Sequence, residues 1–170
     1  MMAHEVFISY SNEDKRIAEG LSIYLEQHGI RCFVAYRDIT SSVVWGAAIA
    51  RAIENCKVAL VVLSDSYSRS TQADREVELC AEADKPILLF KIQKTTPKGV
   101  KRNHLKGHPY VDAYPNPEAR LEKMLVGVRR LFTNLQRVGQ KATQAQQNVV
   151  PSLTKVVKRR ALAEQQAATA

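Results

Sequence analysis

Lys57-Val58-Ala59-Leu60-Val61-Val62-Leu63 is the stretch of this 170-residue chain that decides the fold class. From Val58 to Leu63 its hydrophobicity is unbroken, without the alternation of polar and apolar residues that marks a half-exposed strand. Such runs are typical of strands in the centre of a parallel sheet, where helices cover both faces. The stretch therefore predicts the central strand of an α/β sheet.

Predicted strands and helices alternate on both sides of this run. The strands are expected at residues 5–10, 31–36, 57–63, 86–92 and 109–113, and the helices at 13–28, 45–56, 72–84 and 117–135. Residues 37–44 and 93–108 are predicted loops, and Trp45 is assigned to the core. This order predicts an α/β domain with a five-stranded parallel sheet and right-handed crossovers.

The helical periodicity fades after Leu135. Residues 136–148 are rich in Gln, Ala and Thr, Pro151 interrupts the segment, and residues 153–168 predict a basic, weakly amphipathic helix. We therefore expect a folded domain at residues 4–135, followed by a basic linker and C-terminal helix at residues 136–170. The second segment is expected to lead to an effector or sensor partner.

The formal net charge of +8 is unevenly distributed. Residues 1–90 carry a net −4, residues 91–110 a net +6 and residues 136–170 a net +5. The folded part is not uniformly basic, so direct binding of nucleic acid is not expected. The basic segment 91–110 is interpreted as a solvated loop; the alternative is that it attracts an anionic ligand or an acidic surface.

Several classes of protein are disfavoured by missing patterns. No apolar run approaches the ~20 residues of a membrane span. The chain enters a strand directly without a secretory leader, and its three cysteines fall in apolar patterns, so a cytoplasmic protein with reduced thiols is expected. No dinucleotide-binding or P-loop glycine motif is present, and the four histidines form no metal set or triad.

Glu76 has an unusual position for a charged residue. The stretch 70–81 predicts the start of a helix, and Glu76 lies only about 40° from Cys80, on the rim of its apolar face. Because the helix follows the strand 57–63, this carboxylate is expected near the top of the sheet, half shielded from water, and is a candidate for chemistry. A helix-dipole glutamate or a surface salt bridge is the alternative interpretation.

Other polar side chains are expected at the same edge, because ligands bind beyond the carboxyl ends of the strands in open α/β sheets. These strand ends carry Tyr10, Ser11, Tyr36, Arg37, Asp38, Ser64, Asp65 and Ser66, and the next helix adds Gln72 and Glu76. The set suits a polar ligand with a ring and sugar hydroxyls. A phosphoacceptor receiver domain, with Asp65 as its aspartate, would need acidic residues where Ser9-Tyr10-Ser11 stands.

Five motifs follow the order of a known family. They are Glu5-Val6-Phe7-Ile8-Ser9-Tyr10-Ser11, Phe33-Val34-Ala35-Tyr36-Arg37-Asp38-Ile39 with Trp45 and residues 49–53, residues 58–64, residues 70–78 with Lys85-Pro86-Ile87, and residues 105–113. Across residues 4–135 the chain resembles Toll/interleukin-1 receptor (TIR) domains, bacterial members in particular. The resemblance implies a flavodoxin-like three-layer sandwich around the five-stranded parallel sheet.

Many TIR domains cleave the nicotinamide–ribose bond of NAD, so the resemblance implies an NAD glycohydrolase or ADP-ribosyl cyclase in bacterial antiphage signalling. Glu76 aligns with the essential glutamate of the family, and the expected substrate-binding residues are Tyr10, Ser11, Arg37, Asp38 and Gln72. NAD is a substrate, so no cofactor and no metal are expected. The alternative is a non-enzymatic assembly module.

The loop 37–44 is expected to join copies of the chain. TIR domains stack on one another, and this loop carries the apolar residues Ile39, Val43 and Val44. We therefore expect a homo-oligomer or filament assembled through the loop; the alternative is that the loop is a lid over the chain's own site. Two positions depart from the family pattern: Gln72 stands where a tryptophan is frequent, and Ser41-Ser42-Val43-Val44 replaces a glycine-containing stretch.

Overall fold

The computed structural model describes the backbone of residues 4–40 and 44–167, and the side chains of those residues up to 145. Five strands form one parallel sheet: β1 (Val6–Ser9), β2 (Cys32–Phe33), β3 (Val58–Leu63), β4 (Ile87–Lys91) and β5 (Tyr110–Asp112). Their order across the sheet is β2-β1-β3-β4-β5. All four neighbouring pairs are parallel, so the predicted α/β class and sheet are confirmed.

Helices connect these strands. Within the described residues they are α1 (Lys15–Gln27), α2 (Ala35–Asp38), α3 (Trp45–Asn55), α4 (Asp65–Arg69), α5 (Thr71–Glu82), α6 (Gly99–Leu105) and α7 (Leu121–Ala167). Two short 3-10 helices, Asn12–Asp14 and Glu118–Arg120, precede α1 and α7. In the same part of the chain, no helix is long and apolar enough to cross a membrane.

The core has two layers, one on each face of the sheet. All six residues of β3 are buried, as its unbroken hydrophobicity requires. Alternate side chains of the strands pack on one face with α1 and the start of α7, and on the other face with α3, α5 and α6. The second face also holds the N-terminal part of α5, which carries the candidate residue Glu76.

Both predicted loops contain helices. The α2 helix occupies part of 37–44, and residues 41–43, which include Val43, lie outside the described residues. The α6 helix occupies part of 93–108, and its Lys101 and Leu105 are buried. The interpretation of 91–110 as a fully solvated loop is therefore wrong, because these two side chains lie one turn apart and face the protein interior.

Two apolar residues near the loop 37–44 differ from expectation. Trp45, a core residue by sequence expectation, is 46% exposed at the first position of α3, while Ile49 and Ile53 supply the buried face of that helix. Ile39, expected to be exposed, is partly buried against the core layer that contains α3 and α5. Val44 is 76% exposed, as the sequence suggests.

The last helix is longer than the sequence pattern indicates. The helix expected at 117–135 begins at Leu121 and continues to Ala167, so the interruption expected at Pro151 is not observed. The Gln- and Ala-rich stretch after Leu135 has good helix propensity. The chain divides into two compact units, Met1–Phe132 and Thr133–Ala170. The domain boundary after Leu135 and the partner of the C-terminal segment stay predictions.

Candidate active site

Glu76 lies on the buried face of α5. Ser70 caps the helix, since its Oγ accepts a hydrogen bond from the amide of Ala73 at 3.2 Å. Ala73, Val77 and Cys80 face the sheet, and Glu76 faces it with them, only 5% exposed. Glu76 is therefore buried more deeply than its expected position on the rim.

Each oxygen of the Glu76 carboxylate accepts a hydrogen bond. Ser9, at the carboxyl end of β1, donates from Oγ to Oε2 at 2.6 Å, and Gln72 donates from Nε2 to Oε1 at 3.0 Å. The Ser9 hydroxyl also lies 2.8 Å from the hydroxyl of Tyr67, a fully buried residue of α4. Because the Ser9 proton is directed to Glu76, Tyr67 donates to Ser9.

Burial makes this carboxylate harder to ionise. Desolvation raises the pKa of Glu76, and the hydrogen bonds from Ser9 and Gln72 oppose the rise without cancelling it. Desolvation, and next the charge of Glu76, raise the pKa of Tyr67 well above its usual value, so the phenol stays a neutral donor. A carboxylate in such a setting can stabilise positive charge strongly, because little water screens it.

Tyr10 lies at the same edge of the sheet. Its hydroxyl accepts a hydrogen bond from the amide of Tyr36 at 3.3 Å, and the two rings meet edge to face with centroids 6.4 Å apart. Burial is the largest cause that raises the pKa of Tyr10, and the charge of Glu76 contributes to the same shift. The structure thus places Tyr10 within electrostatic reach of Glu76.

Ser11 belongs to a separate polar cluster that includes Asp14, a residue the sequence analysis missed. The Asp14 carboxylate accepts hydrogen bonds from the hydroxyls of Ser11, Ser64 (2.5 Å) and Ser66 (3.0 Å). The cluster ties the end of β1 to the end of β3. Its sequence signal is the Ser11-x-x-Asp14 spacing, which is that of a helix-start capping pair. Asp65, next to this cluster, is exposed.

Arg37 and Asp38 bind other protein groups. The guanidinium of Arg37 lies 2.9 Å from a carboxylate oxygen of Glu26 and 3.0 Å from Oδ1 of Asp38, and it donates to the carbonyl of Cys32 at 2.6 Å. The Asp38 carboxylate accepts from the amide of Val34 at 2.7 Å. These contacts secure α2 against β2 and α1. A role of either side chain in ligand binding stays a prediction.

Lys101 is a second residue that sequence reasoning missed. Its ammonium group donates to Oδ1 of Asp74 at 2.6 Å and to the carbonyl of Ser70 at 2.8 Å, and its side chain is only 2% exposed. The contacts fasten α6 to the first turns of α5, where Gln72 and Glu76 lie. The sequence gives little signal for this contact. The segment 91–110 contains no acidic residue that could pair with Lys101, and its partner Asp74 is 27 residues away.

The arrangement favours chemistry at a single carboxylate. Within residues 4–40 and 44–167, no group of three His, Cys, Asp or Glu side chains is placed to hold a metal ion. The structure brings Ser9, Tyr67, Gln72 and Glu76 into direct contact, with Tyr10 nearby. Ser11, Arg37 and Asp38 lie in neighbouring networks along the same region of strand ends.

No curated protein matches the sequence. Solved structures, however, share this architecture. The chain is similar to the TIR domain of the Toll-related receptor TRR-2 from Hydra magnipapillata, with a TM-score of 0.60, 22% identity and coverage of 79% of this chain and 99% of that chain. At these identities, likeness to a solved structure shows the fold alone.

Two further solved structures share the fold. The TIR domains of the activated Roq1 resistosome, which directly recognises the pathogen effector XopQ, give a TM-score of 0.50 at 17% identity, covering 76% of this chain and 83% of that chain. The CMP N-glycosidase BcmB of Clostridium botulinum gives a TM-score of 0.52 at 20% identity, covering 71% of this chain and 97% of that chain. The sequence itself matches the family model of the TIR domain over residues 6–125. With most of its length matched and a TIR-like sheet, this chain belongs to the TIR domain family.

Proposed function

We propose that this domain cleaves the nicotinamide–ribose bond of NAD, with Glu76 as the catalytic carboxylate. The observation that carries the proposal is the buried Glu76 side chain, held between the Ser9 hydroxyl and the Gln72 amide at the strand ends. No cation among the described side chains pairs with Glu76. Such a carboxylate is costly to ionise in a folded protein, which favours a functional role.

The chemistry needs few groups. When the bond between nicotinamide and ribose breaks, the cationic nicotinamide ring takes the bonding electrons and leaves as a neutral base, so no general acid is required. The ribose carbon becomes oxocarbenium-like, and the Glu76 carboxylate stabilises its positive charge. Water then adds to that carbon and a proton is released, which gives ADP-ribose; attack by a group of the ADP-ribose itself gives a cyclic product.

The neighbouring side chains have proposed binding roles. Gln72 is exposed apart from its bond to Glu76, so its amide can turn toward a ribose hydroxyl. Tyr10 presents a half-buried ring at the same edge of the sheet, and the charge of Glu76 acts on its hydroxyl. Ser11, Arg37 and Asp38 are proposed to contact the remainder of NAD. NAD is a substrate in this scheme, and the scheme includes neither a cofactor nor a metal.

The relative from Clostridium botulinum supports this reaction class by analogy of fold. That protein is a CMP N-glycosidase, and the nicotinamide–ribose bond is likewise a bond between a sugar carbon and a ring nitrogen. Because one fold hosts many activities, this analogy adds support without fixing the substrate. The biological setting we propose is signalling in bacterial antiphage defence.

A non-enzymatic assembly module is the second candidate function. It is favoured by the exposure of Val44, the last residue of the loop 37–44, and of the adjacent Trp45, the first residue of α3. The Roq1 TIR domains belong to an assembled resistosome. In this scheme the loop joins copies of the chain, and the C-terminal segment contacts an effector or sensor partner.

One experiment separates the two candidates. Concentrated full-length protein is incubated with NAD, and nicotinamide and the remaining products are identified by mass spectrometry. The proposal predicts nicotinamide together with an equal amount of either ADP-ribose or a cyclic product that is lighter than ADP-ribose by one water molecule. Nicotinamide at the level of a Glu76→Gln control, in protein that assembles, would favour the assembly module.

A further inference from the structure

A cavity of about 550 Å³ lies beside α6, at the side of the sheet formed by β4 and β5. Its lining includes Leu63 at the end of β3, Leu89 on β4 and Leu105 on α6, which form an apolar floor. Glu76 and the residues that bind it are not part of the lining. The volume falls within the range of small-molecule sites, about 300–1,000 Å³.

The polar part of the cavity wall is basic. Lys91, Arg102 and Lys106 contribute to the lining, and no acidic residue does. Among the described residues, none of these three cations forms an ion pair; Lys91 instead lies over the ring of Tyr110, with Nζ 5.0 Å from its centroid. Three unneutralised cations around one opening create a positive potential that attracts an anion.

His108 completes the polar wall. Burial lowers the pKa of its imidazole more than a hydrogen bond with the His104 backbone raises it, so near pH 7 the ring is neutral. Its one N–H is engaged with His104, and the other ring nitrogen is an acceptor. Apolar side chains that pack on a ring, cations that pair with a phosphate and a neutral hydrogen-bond acceptor together form the usual composition of a site for a phosphorylated aromatic molecule.

We propose that this cavity binds a small anionic aromatic ligand of the size of a nucleoside monophosphate, separately from the Glu76 site. The aromatic ring packs on Leu89 and Leu105, and the phosphate pairs with Arg102 and Lys106 at the opening. The inference does not depend on NAD cleavage, because it uses none of the residues that surround Glu76. It gives the basic segment 91–110 a function.

The test uses full-length Glu76→Gln protein, so that no bound molecule can be altered by the proposed reaction. AMP is titrated as the probe and adenosine as its uncharged counterpart, and leucine methyl resonances report the place of binding. We expect AMP to shift the methyl signals of Leu89 and Leu105 and to leave those of Leu21 and Leu25, which lie on the other face of the sheet. Adenosine should bind at least tenfold more weakly.

A matched pair of charge reversals completes the test. Arg102→Glu alters the cavity, whereas Lys98→Glu makes the same charge change at an exposed residue outside its lining. We expect Arg102→Glu to weaken AMP at least tenfold and Lys98→Glu to weaken it less than twofold. Equal effects of the two variants, equal binding of adenosine, or no shift at Leu89 and Leu105 up to millimolar AMP would overturn the proposal. Loss of self-association in Arg102→Glu without AMP binding would show that the cavity takes a protein segment instead.

Discussion

The Oγ atom of Ser9 lies 2.6 Å from Oε2 of Glu76, which joins the end of β1 to the interior of α5 across 67 positions of the sequence. This bond gives the buried carboxylate a fixed orientation, and the Tyr67 hydroxyl holds Ser9 in turn at 2.8 Å. The site is therefore assembled by the sheet and by two successive helices, and its properties should respond to changes in Ser9 as well as in Glu76.

The first prediction concerns pH. Burial raises the pKa of Glu76 above 4.5, and the proposed reaction needs the ionised form, so kcat/KM for NAD should fall as the pH drops through a value above 4.5. The Ser9 hydrogen bond lowers this pKa, so Ser9→Ala should move the acid limb to still higher pH. Ser22→Ala is the control, since Ser22 is buried on α1 and donates its hydrogen bond to the carbonyl of Glu19. An acid limb at or below pH 4.5, or equal shifts in both variants, would contradict the account.

The second prediction concerns the buried contact between α6 and α5. Lys101→Met removes the ammonium group that binds Asp74 and the Ser70 carbonyl, and should lower the free energy of unfolding by about 2 kcal/mol. This loss of stability is smaller than the loss expected on breaking a fully buried ion pair, because a third of the Asp74 side chain is exposed and can be solvated. Urea denaturation measures the change.

Lys98→Met is the matched control for Lys101→Met, because Lys98 is exposed and its side chain makes no capping hydrogen bond at the start of α6. It should change the free energy of unfolding by less than about 0.5 kcal/mol. Equal stability of the two variants would mean that Lys101 does not anchor α6.

Much of the fold can be predicted because its signals are local. The unbroken run 58–63 and the alternation of strands with helices are sufficient for the five-stranded parallel sheet. The α6 helix escapes prediction because it is short and basic, and its position depends on the contact of Lys101 with Asp74, 27 residues away. Periodicity alone therefore does not show which face of α6 is buried.

The candidate site can be predicted in part, because some of its signals are local as well. The helical spacing of Glu76 relative to Cys80 marks it as unusual, but its depth of burial depends on Ser9 and Tyr67, which cover it from other elements. Asp14 was missed because its three serine partners come from the ends of two different strands. Trp45 is exposed where hydrophobicity alone suggests the core.

The third prediction concerns assembly. If the loop 37–44 joins copies of the chain, Val44→Asp should place a charge in the contact, lower self-association at least tenfold and reduce specific activity at high protein concentration. The fold should be unaffected, because Val44 is 76% exposed. Sedimentation and NAD turnover are measured over a hundredfold range of concentration.

Val126→Asp provides the control for assembly, since it introduces the same charge at a 55% exposed valine on α7. It should associate and turn over NAD like the unmodified protein. A protein that is monomeric at every concentration, with constant specific activity, would instead identify the loop as a lid over its own site.

The fourth prediction concerns the C-terminal segment. A chain that ends at Leu135 should fold with a melting temperature within about 3 °C of the full chain, because the first compact unit ends at Phe132. A chain that ends at Arg120 should not fold, since it lacks the buried Met124, Leu125 and Val128. Calorimetry measures both, and a large drop for the longer chain would show that the tail stabilises the domain.

The central claim is that the Glu76 carboxylate carries NAD cleavage. Glu76→Gln keeps the shape of the side chain, and the Ser9 hydroxyl can rotate to accept from the new amide, so the free energy of unfolding should stay within about 1 kcal/mol. The deciding measurement is nicotinamide release by Glu76→Gln compared with Glu78→Gln, a change two positions away on the exposed face of α5. The account predicts that release falls at least a hundredfold in Glu76→Gln and less than twofold in Glu78→Gln. Turnover by folded Glu76→Gln protein at the rate of the unmodified chain would contradict it.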